Sequence, residues 1–308
     1  MSKIVVAGSS NIDMTAYVRT LPRPGETIGG GRFMQANGGK GANQAVSAAR
    51  LGGNVTFLTC VGNDMQGHML KEVFASDGID TSCMKYVDAP TGTALIFVAD
   101  DGENCIAVAP GANRELYASD VDEIKAKLDG VEFLLMQLEI PLETVYHAVD
   151  MAYEAGVKVV LNPAPFSDAI PVGVLEKLWL ITPNETEAEK LTGIRIESVN
   201  EAFQAAEFLL NQGVKNVIIT LGSSGSIICN DTLKEFVPAR KVTAVDTVGA
   251  GDVYNGALVT ALSEGKSLVD AARFATVASS IAVTRPGAQT GVPRRAEVDE
   301  IMEIINNQ

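Results

Sequence analysis

Histidine is nearly missing from this chain. Only two, His68 and His147, occur among 308 residues, so acid–base chemistry near neutral pH has to rest on carboxylates, lysine or tyrosine. Both histidines sit in helix-like patterns, "GNDMQGH" and "LETVYHAVDMA", and read as structural or surface residues. Cysteine is scarce too. Cys60, Cys83, Cys105 and Cys229 lie far apart and make no CxxC pair or His/Cys cluster, which gives no zinc pattern and reads as reduced thiols in a cytosolic protein. There is no basic run, and 24 Lys and Arg against 38 Asp and Glu leave a formal net charge of −14. A broad electrostatic grip on nucleic acid or on an anionic membrane is therefore not expected, and any anionic ligand must be held by local groups. No apolar stretch approaches the roughly 18 residues of a membrane span. The N-terminal "MSKIVVAGSS" turns polar too soon for a signal peptide, so the expectation is a cytoplasmic protein.

What the chain does have is 46% hydrophobic residues, enough for a large core. Short β-branched runs, "KIVVAG", "NVTFLTCVG", "VEFLLMQLE", "VKVVLNPAP", "LWLITPNE" and "VKNVIITLG", alternate with segments of helical period. This predicts an α/β fold, a mostly parallel sheet covered by helices on both faces. Ligands of such sheets bind beyond the carboxyl ends of the strands. Two stretches break the alternation, residues 14–38 and 91–109. The second is a β-hairpin around "DDGEN", and together they read as a small β layer off the main sheet. From residue 249 onward the chain reads as mostly helical.

Two common phosphate-binding signatures are absent. "GGKGAN" is not a P-loop, because residue 34 is Met and residue 41 is Gly, and "GSSNID" after the first strand is not GxGxxG. "DTVGAGDVYNGA" does supply a Gly-Ala-Gly turn feeding a helix. It reads either as an anion site made of unpaired first-turn amides or as a glycine turn capped by Asp252. Asn11 and Asp13, two apart in extended chain, point the same way and suit vicinal sugar hydroxyls, although a plain loop turn is the alternative. In "NGGKGANQA", Gly38 and Gly39 permit close backbone approach, with Lys40 and Asn43 flanking. Glu139 falls at the end of a buried strand, a costly place for a carboxylate that binds nothing. Asn184 and Glu187 in "TPNETEAEKL" read either as a capping box or as oxygen groups for a hydrated Mg²⁺.

Taken in order, "GSSNIDM", "GGKGANQA", "NPAP", "TPNETEAE", "TLGSSG", "DTVGAGD" and "AVTRPGAQ" closely resemble the ribokinase-like carbohydrate kinase family, over about residues 3–293. The resemblance implies a single kinase domain over 1–308, with a β-sheet lid formed from about 14–38 and 91–109 that pairs two subunits as a homodimer. It implies ATP-dependent phosphorylation of D-ribose at the 5-hydroxyl. Asn11, Asp13, Gly39, Lys40, Asn43 and Glu139 would bind the sugar, and Asn184, Thr220, Gly222, Gly225 and Gly251 the nucleotide. Asp252 would be the catalytic base, with Gly249, Ala250 and Gly251 as the anion hole. A K⁺ site at Asp246, Val248, Ala282, Arg285 and Gly287 is implied in the same way, as is Mg²⁺ held through water by Glu187. Another small sugar, such as deoxyribose or fructose, a nucleoside, or a silent sugar-binding regulator remain alternatives on the same fold.

Overall fold

The computed structural model describes residues 3–307 except 124, 126, 127, 129 and 167–169. In chain order, β1 (Lys3–Ala7) runs into β2 (Asn11–Val18) and β3 (Arg32–Gly38), and a helix over Lys40–Arg50 leads to β4 (Asn54–Gly62). The helix Met65–Ser76 precedes β5 (Met84–Val87), and the hairpin of β6 (Gly92–Ala99) and β7 (Asn104–Ala109) follows. β8 (Val131–Met136), β9 (Lys158–Leu161), β10 (Leu180–Ile181) and β11 (Val217–Thr220) then alternate with helices that include Leu142–Glu154, Glu185–Thr192 and Val199–Asn211. After β12 (Gly225–Cys229) and β13 (Lys234–Pro238), the regular elements are all helical: Ala250–Ser263, Leu268–Ala282, Ala288–Gly291 and Arg295–Asn306.

The strands form two sheets. The larger has nine strands in the order β13-β12-β11-β10-β9-β8-β1-β4-β5, and the smaller has four, β3-β2-β6-β7. All six apolar runs read from the sequence are parallel strands of the large sheet. β12 and β13 add to its edge antiparallel, as a meander. Covering on both faces explains the unbroken apolar runs. In β1, Ile4 and Val6 join one core while Val5 and Ala7 join the other, and β8 divides Phe133 and Leu135 from Leu134 and Met136 in the same way. Strand order reverses at β1, which pairs with β4 on one side and with β8 on the other. Such a switch point opens a crevice at the carboxyl ends of the strands.

Two deviations from the sequence reading bear on function. β8 stops at Met136, so Glu139 stands in the following loop rather than at the end of a strand. β2 starts at Asn11, so both Asn11 and Asp13 belong to the small sheet. That sheet is two antiparallel pairs joined by the parallel β2/β6 contact, and it carries exposed Phe33, Leu95, Phe97, Ile106 and Val108.

One close helix contact sets the geometry beneath the crevice. A Cβ on Gly256 would stand 2.6 Å from the Gln44 carbonyl oxygen and 2.6 Å from the Ser47 Cβ. Only glycine lets the helix Ala250–Ser263 lie this close to Lys40–Arg50, with Asp252 one turn away from the contact.

Candidate active site

The loops after β1 and β8 meet the start of the helix Lys40–Arg50. Ser9 Oγ donates to Glu139 Oε2 at 2.6 Å, and the Lys40 amide donates to the same oxygen at 2.9 Å. The carboxylate thus sits on the positive end of that helix, which offsets part of the cost of its position. Gly39 enters the helix at φ +88°, and a Cβ on Gly41 would lie 2.5 Å from the Ser9 nitrogen, so both loops depend on glycine.

Asn11 and Asp13 project from the same face of β2, as their spacing predicts. Asn11 is buried and its Oδ1 accepts from Asn113 Nδ2 at 2.7 Å, while Asn113 Oδ1 accepts from the Ser10 amide at 2.8 Å. Asn113 carries no motif and escapes a reading of the sequence. Gly38 pairs with Asn11 across the β2/β3 contact and lies diagonal to Asp13, where a Cβ would stand 2.2 Å from the Asp13 carboxylate. Burial, with smaller contributions from Glu139 and Asp252, pushes the Asp13 carboxyl up to about 6.

Asp252 is buried at the third position of the helix Ala250–Ser263. It does not cap that helix: the N-cap is Gly249 at φ +75°, with no side-chain capping bond. Its oxygens accept instead from the neighbouring helix, Oδ2 from Asn43 Nδ2 at 3.0 Å and Oδ1 from Gln44 Nε2 at 2.9 Å. Burial raises its pKa, while the Lys40 charge and the two amide bonds oppose that rise and Glu139 adds to it. Gln44 stands beside Asn43 in "GANQA", but only the packing of the two helices shows that both reach the same carboxylate.

The glycine turn before Asp252 faces a cleft of about 820 Å³ lined by Asn184, Thr220, Gly222, Gly225, Ala250 and Gly251, with Arg240 and Lys241 also on its wall. A Cβ on Gly251 would meet nothing within 4 Å, and the Gly251 and Asp252 amides find no protein acceptor among the described residues. The Ala250 amide bonds to the Thr247 carbonyl at 3.2 Å, so of the expected anion-hole donors it is the one already engaged. Asn255, absent from the sequence reading, steadies this turn: its Nδ2 donates to the Gly251 carbonyl at 2.8 Å and its Oδ1 accepts from Thr182 Oγ1 at 2.6 Å.

Asn184 and Glu187 do form the reciprocal capping box, at 2.8 and 2.9 Å. Glu187 is buried, its pKa raised by burial, and it feels both Lys40 and Asp252, so it belongs to the same electrostatic cluster. Asp246 accepts from the Val248 and Gly287 amides at 3.0 and 2.8 Å, tying the glycine turn to the segment after Leu268–Ala282. In that segment the carbonyl oxygens of Ala282 and Arg285 both lie near Gly291, 3.1 and 3.6 Å from where a Cβ on it would stand. His68 contacts Tyr86 and Asn63, and His147 pairs with Asp122, both away from this region.

The model of the pfkB family of carbohydrate kinases matches residues 1–295. The chain is 44% identical over 301 residues to the ribokinase of Haemophilus influenzae, covering 97% of this chain and 98% of that one. Among solved structures, ribokinase from Thermotoga maritima superposes with a TM-score of 0.90 at 40% identity, covering 98% and 100% of the two chains. Arabidopsis thaliana ribokinase complexed with ribose and ATP gives 0.91 at 32% identity, covering 98% and 99%.

The raised Asp13 pKa has a stability consequence. The folded state holds the proton up to about pH 6, whereas an ordinary Asp loses it near 3.8, so stability falls as pH rises through that window and stays reduced above it. Asp13→Asn removes the penalty. The variant is expected to gain on the order of 2 to 3 kcal/mol at pH 8 and almost nothing at pH 4, read from urea midpoints. An equal gain at both pH values contradicts the assignment.

Proposed function

As the chain belongs to the pfkB family of carbohydrate kinases, we propose that it transfers the γ-phosphoryl group of ATP to the 5-hydroxyl of D-ribose, giving ribose 5-phosphate and ADP. The observation that carries this reading is the position of Asp252. Its carboxylate lies between a polar cradle that contains Asn11, Asp13, Lys40 and Glu139 and a glycine turn whose amides open on a nucleotide-sized cleft. The sugar occupies the cradle, held by Asn11, Asp13, Gly39, Lys40, Asn43 and Glu139. Carboxylates and amides suit hydroxyl groups, which both donate and accept. ATP lies in the cleft along Asn184, Thr220, Gly222, Gly225 and Gly251.

Phosphoryl transfer asks mainly for positioning and charge stabilisation. The sugar oxygen forms a bond to the γ-phosphorus as the bond to the bridging oxygen breaks, ADP leaves, and the hydroxyl proton passes to Asp252. The amides at Gly249–Gly251 stabilise the equatorial oxygens, with Gly251 the freer donor and Ala250 shared with its turn. Burial raises the pKa of this base, and Lys40 and the two amide donors oppose that rise by favouring its charged form. Closure over the sugar falls to a lid made from about 14–38 and 91–109 within one domain spanning 1–308.

Mg²⁺ and K⁺ complete the reading. Glu187 keeps Oε1 outside its capping bond and suits a hydrated Mg²⁺, which supplies charge to offset the phosphates. Asp246 and the carbonyls of Val248, Ala282, Arg285 and Gly287 would hold K⁺, whose field would steady the glycine turn that Asp246 ties to Gly287. The exposed apolar side chains on the small sheet support a homodimer through that sheet, since such a two-sided layer otherwise leaves its faces in water.

Asp252→Asn is expected to lower turnover by roughly 10² to 10⁴ while ATP binding and melting temperature persist. Near-normal turnover in the folded variant rejects the base, and a panel of ribose, deoxyribose, fructose and nucleosides in an ADP-release assay identifies the acceptor. Turnover should require Mg²⁺ and be higher in K⁺ than in a large organic cation at matched ionic strength. Glu187→Gln should raise the Mg²⁺ requirement, whereas a mere cap would change only stability, by about 1 kcal/mol. Sedimentation at micromolar concentration should find a dimer, and a monomer counts against pairing through the small sheet.

A further inference from the structure

We propose that Gln289 and Gln137 are positioning residues that orient the two amides facing Asp252, so that each presents its NH₂ and not its oxygen to the carboxylate. The two ends of a side-chain amide are nearly identical in shape but opposite in hydrogen-bonding character. Which end faces Asp252 is therefore set by what the other end meets. Asn43 Oδ1 accepts from Gln289 Nε2 at 3.1 Å, which leaves Asn43 Nδ2 for Asp252 Oδ2. Gln44 Oε1 accepts from Gln137 Nε2 at 2.5 Å, which leaves Gln44 Nε2 for Asp252 Oδ1 and for Asn162 Oδ1. The two branches are independent, reach different oxygens of one carboxylate, and run in the same direction.

Both glutamines are buried, and each uses only the donor half of its amide toward this network. Among the described residues, Gln137 Oε1 and Gln289 Oε1 are the buried side-chain atoms with no hydrogen-bond partner. A buried amide with one end unpaired is a poor stabiliser of the fold, so what each glutamine contributes lies at its donor end. Gln289 is itself pinned. Its carbonyl accepts from Arg50 Nη1, and Arg50 holds Asp77 with two further bonds of 2.8 and 2.7 Å. Without Gln289 nothing holds the Asn43 oxygen away from Asp252, and without Gln137 only the Asn162 Oδ1 contact opposes a turn of the Gln44 amide that would replace attraction by repulsion.

The inference rests on the reading of Asp252 as the base, and the test separates the two. Gln289→Met and Gln137→Met keep bulk but remove the donor. The ¹³C carboxyl titration of Asp252, assigned by its disappearance in Asp252→Asn, is followed alongside the pH profile of kcat/KM. Lys40, Glu139, Asp13 and Glu187 face the same carboxylate and are unchanged in both variants. Each substitution is expected to move the Asp252 midpoint upward by about half to one pH unit, because a donor to the charged form is lost. The acid limb of kcat/KM should rise by the same amount. A midpoint that stays in place in a folded variant overturns the proposal, whatever happens to activity. A midpoint that moves while the limb does not keeps the positioning role and overturns Asp252 as the base. Where one Met variant does not fold, the other carries the test, and Gln289→Asn, too short to reach Asn43, replaces Gln289→Met.

Discussion

The structure turns on one buried carboxylate and the groups that oppose the cost of its charge. Among the described residues, Asp252 has no salt-bridge partner in direct contact. It is held by two side-chain amides, by the nearby Lys40 charge, and by its place in the first turn of a helix, where the dipole favours an anion. Each of these is a weak compensation taken singly, and burial alone would favour the protonated form. Their sum requires that two helices far apart in sequence lie against each other in a fixed register, which is why Gly256, with no polar function, matters as much as the residues that touch Asp252.

The same requirement recurs around the cradle. Gly38 clears space for the Asp13 carboxylate, Gly41 lets the helix Lys40–Arg50 approach the β1–β2 loop, and Gly249 takes a left-handed turn against Ala288. At these positions the absence of a side chain brings backbone and carboxylate within contact distance, and a methyl group would separate them. The motifs of the sequence are thus largely records of close approach.

Charge is concentrated as well as closely packed. Glu139, Glu187 and Asp252 gather near Lys40, with Asp13 beside Glu139 and Asp252, and the raised pKa values of Asp13, Glu187 and Asp252 register what this arrangement costs the folded chain. On the proposed function, hydroxyl groups and cations entering this site would relieve part of that cost.

The sequence by itself determined the layered fold and the chemical character of the site. A period-two division between two cores, "KIVVAG" giving Ile4 and Val6 to one face and Val5 and Ala7 to the other, is a local property, and so are the turn before Asp252 and the Asn184–Glu187 cap. β12 and β13 were less legible, because short edge strands depend on a neighbour for half of their hydrogen bonds. Only the tertiary structure decided which polar groups share a carboxylate. Gln44 lies 208 positions from Asp252, Gln289 lies 246 from Asn43, and Asn113 lies 102 from Asn11. Hydrogen bonds have a range of about 3 Å, so such partnerships exist only once the helices and loops have been packed.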